Sequence, residues 1–215
     1  MSNKLIKINI IDYDMGNLQS VRNALEHVGC EVEISSDPLT LSNADALILP
    51  GVGAFGEAMS NLQARKLIEP LRRAVLEEGK PLLGICLGMQ LLADSSMERG
   101  HYQGLSLIPG QVRAIPVSPP RRLPHIGWNS ISVHNSSPLF RDIHEEEAFY
   151  FVHSYHFECG EMYVVGTTNY GINITAAVQK EHVFGVQFHP ERSHRKGLRV
   201  LGNFADFVKS TVGNG

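Results

Sequence analysis

Apolar positions along this chain follow two successive rhythms. Lys4 to Asp12 is a β-branched run that reads as a buried strand. Leu18, Val21, Leu25 and Val28 then recur at helical spacing after Asn17, until Gly29 ends the segment. Glu31 to Ser35, Ala46 to Leu49 and Pro81 to Ile85 predict further strands, and Gly56 to Glu78 a helical stretch that Pro70 kinks or splits. Strands alternating with helices need crossover connections, so the first part of the chain predicts a mainly parallel sheet flanked by helices. From about Gln111 the rhythm shortens. Gln111 to Ile115, Asn129 to Val133, Phe149 to Phe157, Tyr163 to Thr168, Ile174 to Gln179 and Val183 to Phe188 predict strands, some of them antiparallel. Leu198, Leu201, Phe204 and Val208 then share one face of a closing helix. Pro116 to Pro124, rich in proline with two arginines, is a loop. The fold class expected is α/β with a mixed, mainly parallel sheet.

With 215 residues, 43% of them hydrophobic, the chain can bury one substantial core, so a single domain is expected over 1–215 with its body at about 5–210. Nineteen basic against 22 acidic residues leave a formal charge of −3 without a basic stripe, which gives no reason to expect nucleic acid. Apolar runs such as Ala46 to Leu49 are far too short to span a membrane, and Lys4, Lys7 and Asn9 interrupt any signal-peptide core, so a cytoplasmic protein is expected. Cys30, Cys86 and Cys159 are scattered without C-x-x-C spacing, which argues against both disulfides and zinc. No H-x-x-x-H or H-x-H pair with a third ligand stands out among the ten histidines, and no metal is expected.

Gly84-Ile85-Cys86-Leu87-Gly88 has the spacing of a nucleophile elbow with Cys in place of Ser, at the junction of a strand with a helix predicted over Leu87 to Ala93. Such a turn strains the nucleophile's backbone, demands glycines where side chains would clash, and offers the thiol a helix N-terminus. A buried core cysteine is the plain alternative. His189, in Phe188-His189-Pro190-Glu191, follows the strand Val183 to Phe188 and is a candidate base, with Glu191 as its orienting group; a merely hydrogen-bonded histidine is the alternative. Gly51-Val52-Gly53, after the strand Ala46 to Leu49, is either a second oxyanion donor or an ordinary strand-to-helix turn. A phosphate loop fits it poorly, since no G-K-[ST] follows.

Three stretches, P-G-V-G-A-F-G (50–56), G-I-C-L-G-M-Q (84–90) and G-V-Q-F-H-P-E (185–191), together resemble the class I, or triad-type, glutamine amidotransferases. I-D-Y-D-M-G-N (11–17), L-P-H-I-G-W-N (123–129) and Y-F-V-H-S-Y (150–155) are similar to the branch of glutaminase subunits that serves histidine biosynthesis, and the likeness runs from about Ile8 to Phe207. The resemblance implies a flavodoxin-like architecture and no cofactor. It implies that Cys86 attacks the side-chain amide of L-glutamine, that His189 shuttles the proton and that Glu191 orients His189. It implies an oxyanion hole from the Leu87 N–H and an N–H of Gly51-Val52-Gly53, a strand that in the family needs a peptide flip. Gln90, Glu98, His153, Ser154 and Tyr155 would hold the amino-acid end of the substrate, Glu98 facing the α-ammonium. A (β/α)8-barrel cyclase subunit would complete a heterodimer and receive the ammonia, with Asn17, Trp128 and Arg192 at the interface. Arg192 stands where the family usually carries Lys, and 171–173 and 193–196 also depart from its commonest pattern, which leaves open a paralogue feeding another synthase, such as a surface-sugar amidotransferase. A lone Cys hydrolase and a non-catalytic binding or regulatory subunit are the remaining alternatives.

Overall fold

Ala46-Leu47-Ile48-Leu49 and Leu82-Leu83-Gly84-Ile85 are buried at every position, as strands covered on both faces must be. They form the centre of the sheet in the computed structural model, which describes residues 5–134, 136–144 and 147–212. In chain order the first half runs β1 (Lys7–Ile11), α1 (Leu18–His27), β2 (Glu31–Ser35), α2 (Pro38–Asn43), β3 (Ala46–Leu49), α3 (Phe55–Ala64), α4 (Ile68–Leu76), β4 (Leu82–Ile85) and α5 (Leu87–Leu91). It continues with β5 (Ser95–Ser96), β6 (Tyr102–Gln103), β7 (Gly110–Ala114), β8 (His125–Ser130), β9 (Ser132–Val133), β10 (Ala148–His153), β11 (Tyr155–Cys159), β12 (Val164–Asn169), β13 (Asn173–Lys180), β14 (Val183–Val186) and α6 (His194–Val212).

The main sheet has the order β2-β1-β3-β4-β14-β13-β12-β9. Its first five strands are mutually parallel and the last three are added antiparallel, which is the mixed, mainly parallel α/β arrangement expected. Two small sheets, β10-β8 and β11-β7-β5-β6, lie beside it. The pleat divides the apolar side chains between two cores. Ile8, Ile10, Ile48, Phe184 and Val186 pack with Val21 and Leu25 of α1 and with Leu201, Phe204 and Val208 of α6. Ile11, Leu47, Leu49 and Leu82 pack with Leu62, Leu71 and Val75 of α3 and α4 and with Leu91 of α5. Each fully buried Leu, Ile or Phe contributes about 1.5–3 kcal/mol by leaving water. Among the described residues no helix is long and apolar enough to cross a membrane.

Several boundaries differ from the sequence reading. The helical stretch 56–78 does divide, but at Lys66, whose φ is +57°, and not at Pro70, which lies in the first turn of α4 where its missing N–H costs nothing. The helix after Cys86 ends at Leu91, short of Ala93. Asn129 to Val133 is two strands, β8 paired with β10 and β9 paired with β12, and Phe149 to Phe157 is cut at Ser154 into β10 and β11. α2, β5 and β6 lie outside every predicted element.

Candidate active site

Strands β4 and β14 are parallel neighbours with Ile85 opposite Val186, so Cys86 and His189 leave the same edge of the sheet. Cys86 follows β4 directly, with φ 54° and ψ −109°. Its N–H donates to Val186 O at 2.8 Å, and its carbonyl accepts from Met89 and Gln90, which starts α5 at once. The flanking glycines are steric necessities. A Cβ on Gly84 would lie 2.6 Å from Gly88 O, and one on Gly88 would lie 1.7 Å from Leu49 O. Close passage of α5 over β3 and β4 is therefore what forces the strained turn, and a non-glycine φ in this region costs about 1–3 kcal/mol.

His189 is 4% exposed, and its Nδ1 lies 2.8 Å from Glu191 Oε1 in an ion pair whose side chains are almost wholly buried. Burial alone would disfavour the imidazolium, but the Cys86 side chain and the Glu191 carboxylate outweigh it and raise His189 from 6.5 to about 10. Nε2 has no hydrogen-bond partner among the described residues, so it is open to hand a proton to and from a group above the sulfur. The ring is held by its backbone, with His189 N–H donating to Tyr150 O at 2.9 Å and His189 O accepting from Ser193 Oγ at 2.6 Å. Sequence, elbow and burial thus bring Cys86, His189 and Glu191 together, as a thiol, a base and a base-orienting carboxylate must be.

The Gly51-Val52-Gly53 segment faces the elbow, but in this conformation it accepts instead of donating. Leu87 N–H, one expected oxyanion donor, is taken by Gly51 O at 3.3 Å. Tyr13, fully buried, anchors the segment from behind by donating from its hydroxyl to Pro50 O at 2.6 Å. A Cβ on Gly51 would lie 2.3 Å from that hydroxyl, and Gly53 has φ +110°, so both glycines are required by contact or conformation. Burial, with the charge of Cys86 behind it, raises the Tyr13 pKa and keeps the phenol a donor.

A cleft of about 350 Å³ opens over Cys86, and Val52, Gly53, Leu87, Gln90, Glu98, His153, Ser154 and Tyr155 are among its lining residues, whereas Gly51 and His189 are not. Gln90 Nε2 donates to Tyr155 O and to Gln187 Oε1, at 3.0 and 2.9 Å. Glu98 Oε2 accepts from Phe55 N–H at the start of α3, at 2.8 Å, so one carboxylate oxygen is structural. Buried His153 is pushed down to about 3, chiefly by desolvation, and presents a neutral ring.

Trp128 is half exposed on β8, edge-on to Tyr150 and stacked on His194 at 5.0 Å. The Arg192 guanidinium covers the same Tyr150 ring at 4.7 Å, so Trp128 and Arg192 share one surface. Asn17 is exposed, and its side chain caps α1 by accepting from Ser20 N–H. Cys30 and Cys159 sit away from this cleft with thiols pushed up to about 11 by burial. Tyr13, Gln187 and His125 escaped the sequence reading as site residues. The motifs 11–17, 185–191 and 123–129 contain them, but no spacing rule says which member faces the site.

The family model "Glutamine amidotransferase class-I" matches residues 9–207. A protein of Vibrio vulnificus (strain YJ016) named imidazole glycerol phosphate synthase subunit HisH 2 is 48% identical over 205 residues, 95% of this chain and 96% of the relative. A HisH subunit of Moorella thermoacetica is 49% identical over 203 residues, 94% and 95% of the two chains. Among solved structures, a putative GMP synthase component of Thermoplasma acidophilum superposes with a TM-score of 0.75 at 18% identity, covering 99% and 98% of the two chains. PurLQS of Thermotoga maritima does so with 0.73 at 21%, over 95% of this chain and 99% of that one. These two likenesses speak for the fold.

Proposed function

Because the chain belongs to the class I glutamine amidotransferases and, within them, to the glutaminase subunits of imidazole glycerol phosphate synthase in histidine biosynthesis, we propose the following roles for its residues. The Cys86 sulfur attacks the carboxamide carbon of L-glutamine as His189 takes the thiol proton. The tetrahedral oxyanion collapses, the C–N bond breaks, and His189 returns the proton to the departing ammonia. A γ-glutamyl thioester remains. Water, deprotonated by His189, attacks it and releases glutamate and the thiol. Glu191 holds His189 in the orientation both half-reactions use. Gln90, Glu98 and the His153-Ser154-Tyr155 segment seat the amino-acid end, with the second Glu98 oxygen on the α-ammonium.

The oxyanion is met by the Leu87 N–H and by an N–H from the Gly51-Val52-Gly53 strand, once that strand turns its Gly51 carbonyl out of the hole. Each donor is worth about 3 kcal/mol in such sites. The partner is a (β/α)8-barrel cyclase subunit of the HisF type, held over the face that carries Asn17, Trp128 and Arg192, and it receives the ammonia away from water, where protonation would end its nucleophilicity. Neither nucleic acid nor a membrane takes part, and the pair works in the cytoplasm. One observation carries this reading: an elbow cysteine at φ 54° beside a buried His189–Glu191 pair, at the floor of a cleft lined by Gln90 and Glu98.

The test is glutamate release from glutamine by this chain mixed with a purified cyclase subunit, with and without the cyclase's phosphoribulosyl-formimino-AICAR ribonucleotide. Strong stimulation, lost in Cys86→Ala while ammonia-dependent synthesis persists, is expected. Absence of stimulation from a chain whose Cys86 still reacts with a glutamine-analogue electrophile would assign the glutaminase to another synthase.

A further inference from the structure

Strands β8 and β10 place His125 directly opposite His153 at the end of their ladder. Both side chains point inward, while Ile126 and Trp128 on the other face of β8 are exposed. Their rings form a hydrogen-bonded series in which every polar atom has a partner of known kind. His153 Nδ1 lies 2.8 Å from Tyr155 O, and a carbonyl only accepts, so Nδ1 carries the proton. His153 Nε2 is then an acceptor, and its partner at 3.0 Å, His125 Nδ1, must donate. His125 Nε2 accepts in turn, from Asn129 Nδ2 at 3.3 Å, whose second hydrogen goes to Asn169 O at 2.9 Å. The series continues from Tyr155 O. That oxygen also accepts from Gln90 Nε2, whose other hydrogen goes to Gln187 Oε1. Gln187, wholly buried, donates from Nε2 to Cys86 Sγ at 3.6 Å.

We infer that His125, and through it His153, is a positioning residue for glutamine hydrolysis: two neutral imidazoles locked in the Nδ1–H tautomer fix the Tyr155 carbonyl, which fixes Gln90 and Gln187 against the nucleophile. The inference rests on the catalytic reading above and adds residues to it. Its logic is that a carboxamide side chain has two rotamers of nearly equal shape, and only hydrogen bonding decides between them. With Tyr155 O aligned, Gln90 must present its NH2 to both acceptors, and Gln187 is left with its NH2 on the sulfur. Without His153 holding that carbonyl in place, its bond to Gln90 is less well aligned and the amide orientations of Gln90 and Gln187 are fixed less firmly. A turned Gln187 would set its oxygen against the sulfur and the negative charge it develops.

The surroundings keep both rings neutral. His125 lies between the Phe151 and Tyr170 rings, at 5.0 and 4.2 Å, and burial lowers it to about 4. The Tyr170 hydroxyl donates to Arg122 O and so leaves His125 alone. The ionisable groups that bear on His153 are His125, His156 and His189, all of which disfavour a further positive charge. A second proton on His153 would set donor against donor across the 3.0 Å contact with His125 Nδ1, and one on His125 would oppose the Asn129 NH2 at 3.3 Å.

Two measurements on the full chain test this. Long-range ¹H–¹⁵N NMR of the histidines is expected to show His125 and His153 as neutral Nδ1–H rings at pH 7 and still neutral at pH 5, against the Nε2–H preference of free histidine. An Nε2–H ring or an imidazolium at either position at pH 7 overturns the inference. In the mixture with the cyclase subunit and its ribonucleotide, His125→Phe keeps the ring stack and deletes the donor. It is expected to lower kcat/KM for glutamine about tenfold, the worth of one hydrogen bond at the transition state. The double variant with Gln90→Ala should fall no further than Gln90→Ala alone, because the two act along one series. Wild-type kcat/KM in His125→Phe, or losses that simply add, refutes it. Inactivity of the wild-type mixture would instead refute the catalytic reading, and the tautomers would still decide whether the series exists.

Discussion

Replacing Cys86 by glycine and by alanine separates strain from chemistry, because neither variant has a nucleophile and both lose the same sulfur. At ordinary positions Ala is favoured over Gly by about 0.5–1 kcal/mol, through the entropy of the unfolded chain. At φ 54°, ψ −109° the alanine Cβ still suffers the clash that Cys86 suffers, whereas glycine does not. That strain is worth about 1–3 kcal/mol. The difference predicts Cys86→Gly to match Cys86→Ala or exceed it by up to about 2.5 kcal/mol, against the usual order. In a domain of this size each kcal/mol moves Tm by about 2–4 °C. Urea unfolding of the two variants, read by tryptophan fluorescence from Trp128 and by circular dichroism, gives the comparison at a common slope. A Cys86→Ala protein more stable than Cys86→Gly by the ordinary margin of about 0.5–1 kcal/mol would show that the elbow stores no strain.

Gly88→Ala should not yield a folded protein, since its Cβ would fall 1.7 Å from Leu49 O, a backbone atom in the centre of the sheet; soluble Gly88→Ala with a native melting transition would refute the contact. Tyr13→Phe leaves Pro50 O without its buried donor and is expected to cost about 1–3 kcal/mol, measured by urea unfolding, and to change glutaminase activity without the partner, because the strand opposite Leu87 loses its anchor. Unchanged stability would show that the bond contributes nothing. Stability is expected to fall as pH drops from 6.5 toward 4. The folded chain holds His125 and His153 neutral to about 4 and about 3, with buried His156 shifted in the same direction, while the unfolded chain takes up protons at its ordinary values. At pH 5 the first two together cost up to about 4 kcal/mol. His189, raised to about 10, works in the other window: its contribution is complete below 6.5 and is lost as pH climbs toward 10. Unfolding free energies that stay flat from pH 6.5 to 5 would sink the argument.

How much of this was legible in the sequence depends on what decides each feature. β3 was readable to the residue because it is a short apolar run, and β2 because Glu-Val-Glu-Ile-Ser alternates polar and apolar as a half-exposed edge strand does. The break between α3 and α4 was misplaced because Pro70 is conspicuous, whereas a left-handed Lys66 leaves no trace in composition. The runs 129–133 and 149–157 read as single strands because neither contains a glycine or proline to mark a break. What divides them is the choice of partner: β8 and β10 pair with each other, β9 joins the main sheet, and β11 joins a third sheet. The same division governs the site. Cys86, His189 and Glu191 stand out as candidates in the sequence because an elbow and a strand end impose local spacing rules. Tyr13, His125 and Gln187 act through contacts 37, 28 and 101 residues away in sequence, and no local pattern encodes such a contact.

The closed oxyanion hole fits the rest of this architecture energetically. The Leu87 N–H to Gly51 O bond is long, at 3.3 Å, and a net hydrogen bond of this kind is worth only about 1 kcal/mol. Rotating the Gly51–Val52 peptide exchanges that carbonyl for an N–H, and the neighbours already tolerate such a change: Gly51 has no Cβ to drive into Tyr13, and Gly53 occupies a left-handed region. Pro50 O, held by Tyr13, is a fixed pivot on one side of the moving peptide. Val52, nearly half exposed on the cleft, is the handle on the other. If the open orientation lies a few kcal/mol above the closed one, it is populated at about one part in a hundred or less, and the isolated subunit is expected to hydrolyse glutamine poorly. A partner that contacts Val52 differently in the two peptide orientations, by a similar few kcal/mol, is then enough to switch on hydrolysis when the acceptor of the ammonia is present.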